Sequence, residues 1–169
     1  MTLKRWLPTF IAFPAGGFLA MLTVGSLDGP VSGAVGGLIA GAVIGAAQWL
    51  ALGTTKRWIA YTAGAMAAGS ALAAVVTGAG TELQDLMVTG LIAGAAVGAA
   101  QGTILGATAA WTAITAASWS LAWLVTYAVV GINADQGFFV FGSSGALVAT
   151  LISGLALRAL QGSRQAVAA

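Results

Sequence analysis

Apolar residues in this chain run in six stretches of about 20, the length that crosses a bilayer as a helix. The windows are Trp6–Gly25, Val31–Gly53, Trp58–Gly78, Leu86–Gly106, Trp111–Gly131 and Phe138–Leu160. The breaks between them, 26–30, 54–57, 79–85, 107–110 and 132–137, hold turn-forming and charged residues. Asp28-Gly29-Pro30 puts Pro30 at the first position of the second span, where its missing N–H costs nothing. Thr81 and Gln84 have capping-box spacing ahead of the fourth. Pro8 and Pro14 predict a kink in the first. Lys4 and Arg5 ahead of an apolar run resemble the start of a leader peptide, but Trp6, the two prolines and the length of the run predict a retained helix.

The pattern also repeats. Leu38–Gly53 reads LIAGAVIGAAQWLALG, and Leu91–Gly106 reads LIAGAAVGAAQGTILG, with 11 of 16 positions identical at an offset of 53. Leu147–Gly162, LVATLISGLALRALQG, is a weaker third copy at an offset of 56. Lys4-Arg5-Trp6 matches Lys56-Arg57-Trp58, and Trp111 lies 53 residues beyond Trp58. The fold class expected is therefore an all-α integral membrane protein with a single transmembrane domain over 1–169. Its six helices form three tandem αα-hairpin repeats of about 53 residues each: 1–53, 54–106 and 107–162, with 163–169 as a short cytoplasmic tail. Same-sense repeats imply an axis along the membrane normal, hence a pseudo-threefold bundle.

Glycines at every fourth position predict how that bundle packs. Gly33, Gly37, Gly41 and Gly45 line one face of the second span, and Gly90, Gly94, Gly98, Gly102 and Gly106 one face of the fourth. Gly154 keeps the register in the sixth. Small residues at this spacing let helix backbones approach closely, which is what holds helices together in lipid. The expectation is a glycine zipper with the even helices meeting at the centre; the rows either pack within the molecule or leave one face, on the fourth span, to dock a partner.

Composition excludes most alternatives. Of the 169 residues 59% are hydrophobic and only 6% charged, where a soluble chain is about one quarter charged. With no Cys and no His, a His- or Cys-ligated cofactor is excluded. A net charge of +2 is too sparse for a nucleic-acid surface. No catalytic residue is expected, because the spans carry no Asp, Glu, Lys or His to act as base or proton relay. No metal site is expected either.

Charge placement predicts orientation. Lys4, Arg5, Lys56, Arg57, Arg158 and Arg164 fall at the two termini and the second break, while Asp28, Glu82, Asp85 and Asp135 fall in the first, third and fifth. The positive-inside rule then places both termini in the cytoplasm. The cadence GxxxGxxxGxxQW over Gly37–Trp49 resembles small multi-pass membrane proteins of bacteria, phototrophs among them, which implies the bacterial cytoplasmic (inner) membrane and no particular activity. Paired glycine-rich helices are also similar to rotor-ring hairpins of rotary ATPases, but the mid-membrane carboxylate those require is absent.

Four sets of residues are candidates for function. Asp28, Glu82 and Asp135 form either an extracytoplasmic ring of carboxylates or helix caps. Gln48 and Gln101, at equivalent positions, are either a polar lining for a solute path or partners in an interhelical bond. Trp119, Trp123 and Tyr127, at spacing four, make an aromatic stripe for a hydrophobic pigment, quinone or lipid, or else face lipid or fill the core. Trp6, Trp58 and Trp111 are expected as interfacial anchors. The leading expectation for function is a non-enzymatic accessory subunit of a larger membrane complex, associating with other membrane subunits or with itself. A passive channel or carrier and a hydrophobic-cofactor binder are the alternatives.

Overall fold

The computed structural model describes residues 2–130 and 141–168. It contains six helices long and apolar enough to cross a membrane, and no strand among the described residues. We label them α1 (Leu3–Val24), α2 (Pro30–Leu52), α3 (Arg57–Thr77), α4 (Leu83–Leu105), α5 (Thr108–Val130) and α6 (Ser143–Ala168). The chain fits a polytopic membrane protein, as its apolar pattern predicts.

Local chemistry explains where the helices begin and end. Pro30 opens α2 at its first position, and Ser32 Oγ accepts from the exposed backbone N–H groups of Gly29 and Asp28. The helices α2, α3 and α4 stop at Gly53, Gly78 and Gly106, each in the left-handed conformation at φ 65°, 62° and 60°. Only glycine adopts that geometry without strain from a Cβ. Gly106, the last glycine of the fourth-span row, therefore ends α4 at an exposed position instead of lying within the helix. The capping box expected from Thr81 and Gln84 does not form: Glu82 is the N-cap of α4 and no side chain caps it. In α1 the winding tightens to a 3₁₀ turn over Leu7–Ile11, around Pro8, before the α-helix resumes over Ala12–Val24.

The helices pack in a closed ring in chain order. Each packs against the helices before and after it, and α6 closes against α1. The expectation that the even helices meet at the centre is wrong for their backbones, since α2, α4 and α6 are separated by odd helices. The reason lies in where the glycine faces point. A Cβ at Gly37 would lie 2.6 Å from the carbonyl oxygen of Met66, and one at Gly41 2.9 Å from that of Thr62, both in α3. On α4, Cβ atoms at Gly90, Gly94, Gly98 and Gly102 would press on Trp119, Thr115, Thr112 and Thr108 of α5. Gly33 and Gly45 approach Ser70 and Ile59 of α3 in the same way, and Gly154 faces Trp6 of α1. Each glycine row thus receives an odd helix, and the row on α4, the alternative docking face, is covered by α5.

The most extensive contacts are α2 with α3 and α4 with α5. Gly94→Ala is expected to lower the unfolding free energy of the detergent-solubilised protein by about 1–3 kcal/mol, because its Cβ would meet the Thr115 carbonyl at 2.8 Å. Gly64→Ala, where nothing lies within 4 Å, should stay within about 1 kcal/mol of the parent. Equilibrium unfolding of the two variants side by side checks both.

Candidate functional site

The main polar cluster inside the ring lies near the basic end of the bundle and is built from two glutamines. Gln48 of α2 is 6% exposed and Gln101 of α4 is 1% exposed. A primary amide in hydrocarbon needs partners for both its oxygen and its nitrogen. Gln101 Nε2 donates to Gln48 Oε1 and to Thr62 Oγ1, both at 2.9 Å. The Trp58 indole N–H donates to Gln48 Oε1 at 3.1 Å, and the Trp111 indole N–H to Gln101 Oε1 at 3.0 Å. Thr62 Oγ1 in turn donates to the Trp58 carbonyl at 2.7 Å. The even helices therefore do meet across the interior here, through side chains 53 residues apart in sequence.

This arrangement corrects the reading of the rim tryptophans as interfacial anchors. Trp6, Trp58 and Trp111 are 0–1% exposed and lie inside the ring. The Trp6 indole N–H reaches α6, donating to the Thr150 carbonyl at 2.9 Å and Ser153 Oγ at 3.1 Å. An anchor keeps its N–H at the headgroup level, whereas these three find acceptors within the protein. The signal in the sequence was there: Trp58 and Trp111 each lie 10 residues after the glutamine they bind.

The aromatic stripe of α5 also points inward. Trp119 and Trp123 are 5% and 3% exposed, and Tyr127 packs against the same core from a partly buried position. Trp119 meets Phe13 of α1 edge-to-face at 5.8 Å and Phe141 at 5.5 Å, and Trp123 meets Phe141 at 6.0 Å. Phe13 and Phe141 stack at 5.1 Å. Phe141 lies just ahead of α6, so these rings join the first, fifth and sixth spans through the interior. Below them Ile44, Met66 and Val97 are all but inaccessible.

The acids do not share one role. Asp28 is exposed and accepts from Ser32 Oγ at 2.7 Å, which fixes the entry to α2. Glu82 is exposed at the N-cap of α4 and, with Gln84, Met87 and Tyr127, borders an open groove at the acidic end. Asp135 lies outside the described residues. Among the described residues no three His, Cys, Asp or Glu side chains are grouped to hold a metal ion.

The chemistry available to Gln48, Gln101, Trp58, Trp111 and Thr62 is that of a brace: neutral donors matched to neutral acceptors, with no group to take or give a proton. Gln48→Leu and Gln101→Leu should each destabilise the solubilised protein by about 1–2 kcal/mol. The double variant should lose less than the sum, with a coupling of about 0.6 kcal/mol and at most about 1.7. A double-mutant cycle on unfolding free energies measures it. Comparison with family models, curated proteins and solved structures finds no match to this chain.

Proposed function

We propose that this protein is a non-enzymatic accessory subunit of a larger integral membrane complex, in the bacterial cytoplasmic membrane, and that it docks through the outer face of α3. One observation carries the docking site. The glycine rows of α2 and α4 are covered by their odd neighbours, whereas Ala60, Gly64 and Ala68 form a small-residue row exposed on the outside of α3. Nothing lies within 4 Å of a Cβ built on Gly64, so a second helix has room to come into backbone contact there. At the corresponding outer positions of α5, Ala113 matches Ala60, but Ala117 stands in place of Gly64 and Leu121 in place of Ala68.

The interior supports the accessory reading over the channel. Gln48 and Gln101 bind each other and two indoles, and aromatic rings occupy the interior toward the acidic end. We read the glycine rows as zippers within a chain of three repeats. The support is that Trp58–Gln48 and Trp111–Gln101 are the same bond one repeat apart, while the third position holds Leu157 in place of glutamine. Under this reading the threefold relation is approximate, and the close-packed pairs straddle the repeat boundaries. With the basic end in the cytoplasm, both termini are cytoplasmic.

The chain has no native Cys, which makes single-cysteine tests clean. Gly64→Cys, expressed in native membranes and treated with a short bismaleimide, should give one reproducible adduct with another membrane subunit or a second copy, and Leu121→Cys should give none. No adduct at position 64, with a lone monomer on purification, overturns the proposal. Separately, Ser26→Cys should react with an impermeant maleimide added outside intact cells, and Thr55→Cys only after lysis.

A further inference from the structure

We infer that the glutamine brace binds one water molecule, which accepts from Gln48 Nε2 and stands where a third glutamine amide would complete the set. The two glutamines are not equally served. Gln101 Nε2 donates twice, to Gln48 Oε1 and to Thr62 Oγ1. Gln48 Oε1 accepts twice, from Gln101 and from the Trp58 indole. Gln48 Nε2, however, donates to nothing among the described residues. An amide N–H2 in an apolar interior is costly without an acceptor, so this one calls for an explanation.

The spacing of the bonds that do form shows what Gln48 lacks. Gln101 uses a threonine 39 residues before it and a glutamine 53 residues before it. The residue 39 before Gln48 is Thr9, which lies in the 3₁₀ turn around Pro8 and whose Oγ1 is enclosed and makes no bond. The position that aligns with Gln48 and Gln101 in the third copy holds Leu157, 1% exposed and in one buried cluster with Trp6, Trp111 and Ala51. Other bonds fall short at the same place. Gln101 Oε1 accepts once, from the Trp111 indole, where Gln48 Oε1 accepts twice. Thr115 Oγ1 donates to the Trp111 carbonyl and accepts from no side chain, where Thr62 Oγ1 accepts from Gln101. The Trp6 indole turns instead to the Thr150 carbonyl and Ser153 Oγ. This placement rests on the three-repeat reading above and is independent of the docking face on α3.

The chemistry of the corner selects water. Gln48 is 6% exposed, and its Nε2 is not sealed from solvent as the hydroxyls of Thr9, Thr126 and Thr150 are. It lies four residues before the end of α2 at Leu52, about 6 Å along the axis from the basic end. Water both accepts and donates: it takes the Gln48 N–H and offers an O–H to the next amide, whose oxygen has a lone pair to spare. Buried waters are held by two to four such bonds. A hydrocarbon ligand offers no acceptor, and every member of the brace is neutral, so nothing in it favours an anion.

The test is solution NMR of the full chain, deuterated and labelled with nitrogen-15, in micelles of a deuterated detergent. Dipolar contact with water is read at the glutamine side-chain N–H2 groups, assigned from the spectra of Gln48→Leu and Gln101→Leu. The Gln48 group should show that contact, and the Gln101 group, which is engaged twice within the protein, should show none. Leu157→Gln should abolish the contact at Gln48, and Leu157→Met, which adds no amide, should keep it. Thr9→Val should keep it too, and this variant serves if Leu157→Gln does not fold. No contact at Gln48 in the parent overturns the water itself. Contact that survives Leu157→Gln overturns its place, and with it the repeat equivalence on which the place rests. Equal contact at both glutamines overturns the proposal, because the whole brace is then open to solvent. So does contact that appears only in Thr9→Val, because the threonine is then the partner of Gln48.

Discussion

Close approach of helix backbones is the constraint from which the rest of this structure follows. Lipid gives apolar side chains no reason to prefer one another over acyl tails, so helices associate only where their surfaces fit. In α2 and α4 the fit comes from glycines that bring the carbonyls of Met66 and Thr115 within 3 Å of where a Cβ would stand. Because each of these rows receives a single odd helix, the chain cannot gather its three even helices on an axis. It forms a ring instead, and a ring has an interior that side chains must occupy.

Two different solutions occupy it. Near the basic end the interior is polar, and the cost of polar atoms in hydrocarbon is offset by matching them: two indole N–H groups, two amides and a threonine hydroxyl. Further along, Phe13, Trp119, Trp123 and Phe141 take the space with edge-to-face and stacked rings, arrangements that suit the quadrupole of an aromatic face. Side chains this large are needed because backbones held apart by an intervening helix leave a wide gap. The same four residues tie together helices that are distant in sequence, and the glutamine pair does so for α2 and α4.

Much of the architecture was legible in the sequence. The six spans follow from apolar run length, and Pro30, Gly53, Gly78 and Gly106 mark helix boundaries through their backbone preferences alone. What could not be read was direction. A glycine row says that a backbone comes close without saying whose, so the rows of α2 and α4 pointed as readily to each other as to α3 and α5. Rim tryptophans carry the same composition signal whether they face headgroups or a neighbouring amide, and only the ten-residue spacing to Gln48 and Gln101 distinguishes the two.

The closure of α6 on α1 has a consequence for biogenesis. The Trp6 indole finds its acceptors 144 and 147 residues later, at Thr150 and Ser153. At synthesis rates of about 5–20 residues per second, α1 waits roughly 7–30 s for the helix that completes its packing. During that interval the indole N–H and the face around Gly154's future neighbour stand open to lipid or to whatever holds nascent spans at the translocation machinery. Of the six described helices, α1 leaves the ribosome first and is among the last to be locked in place.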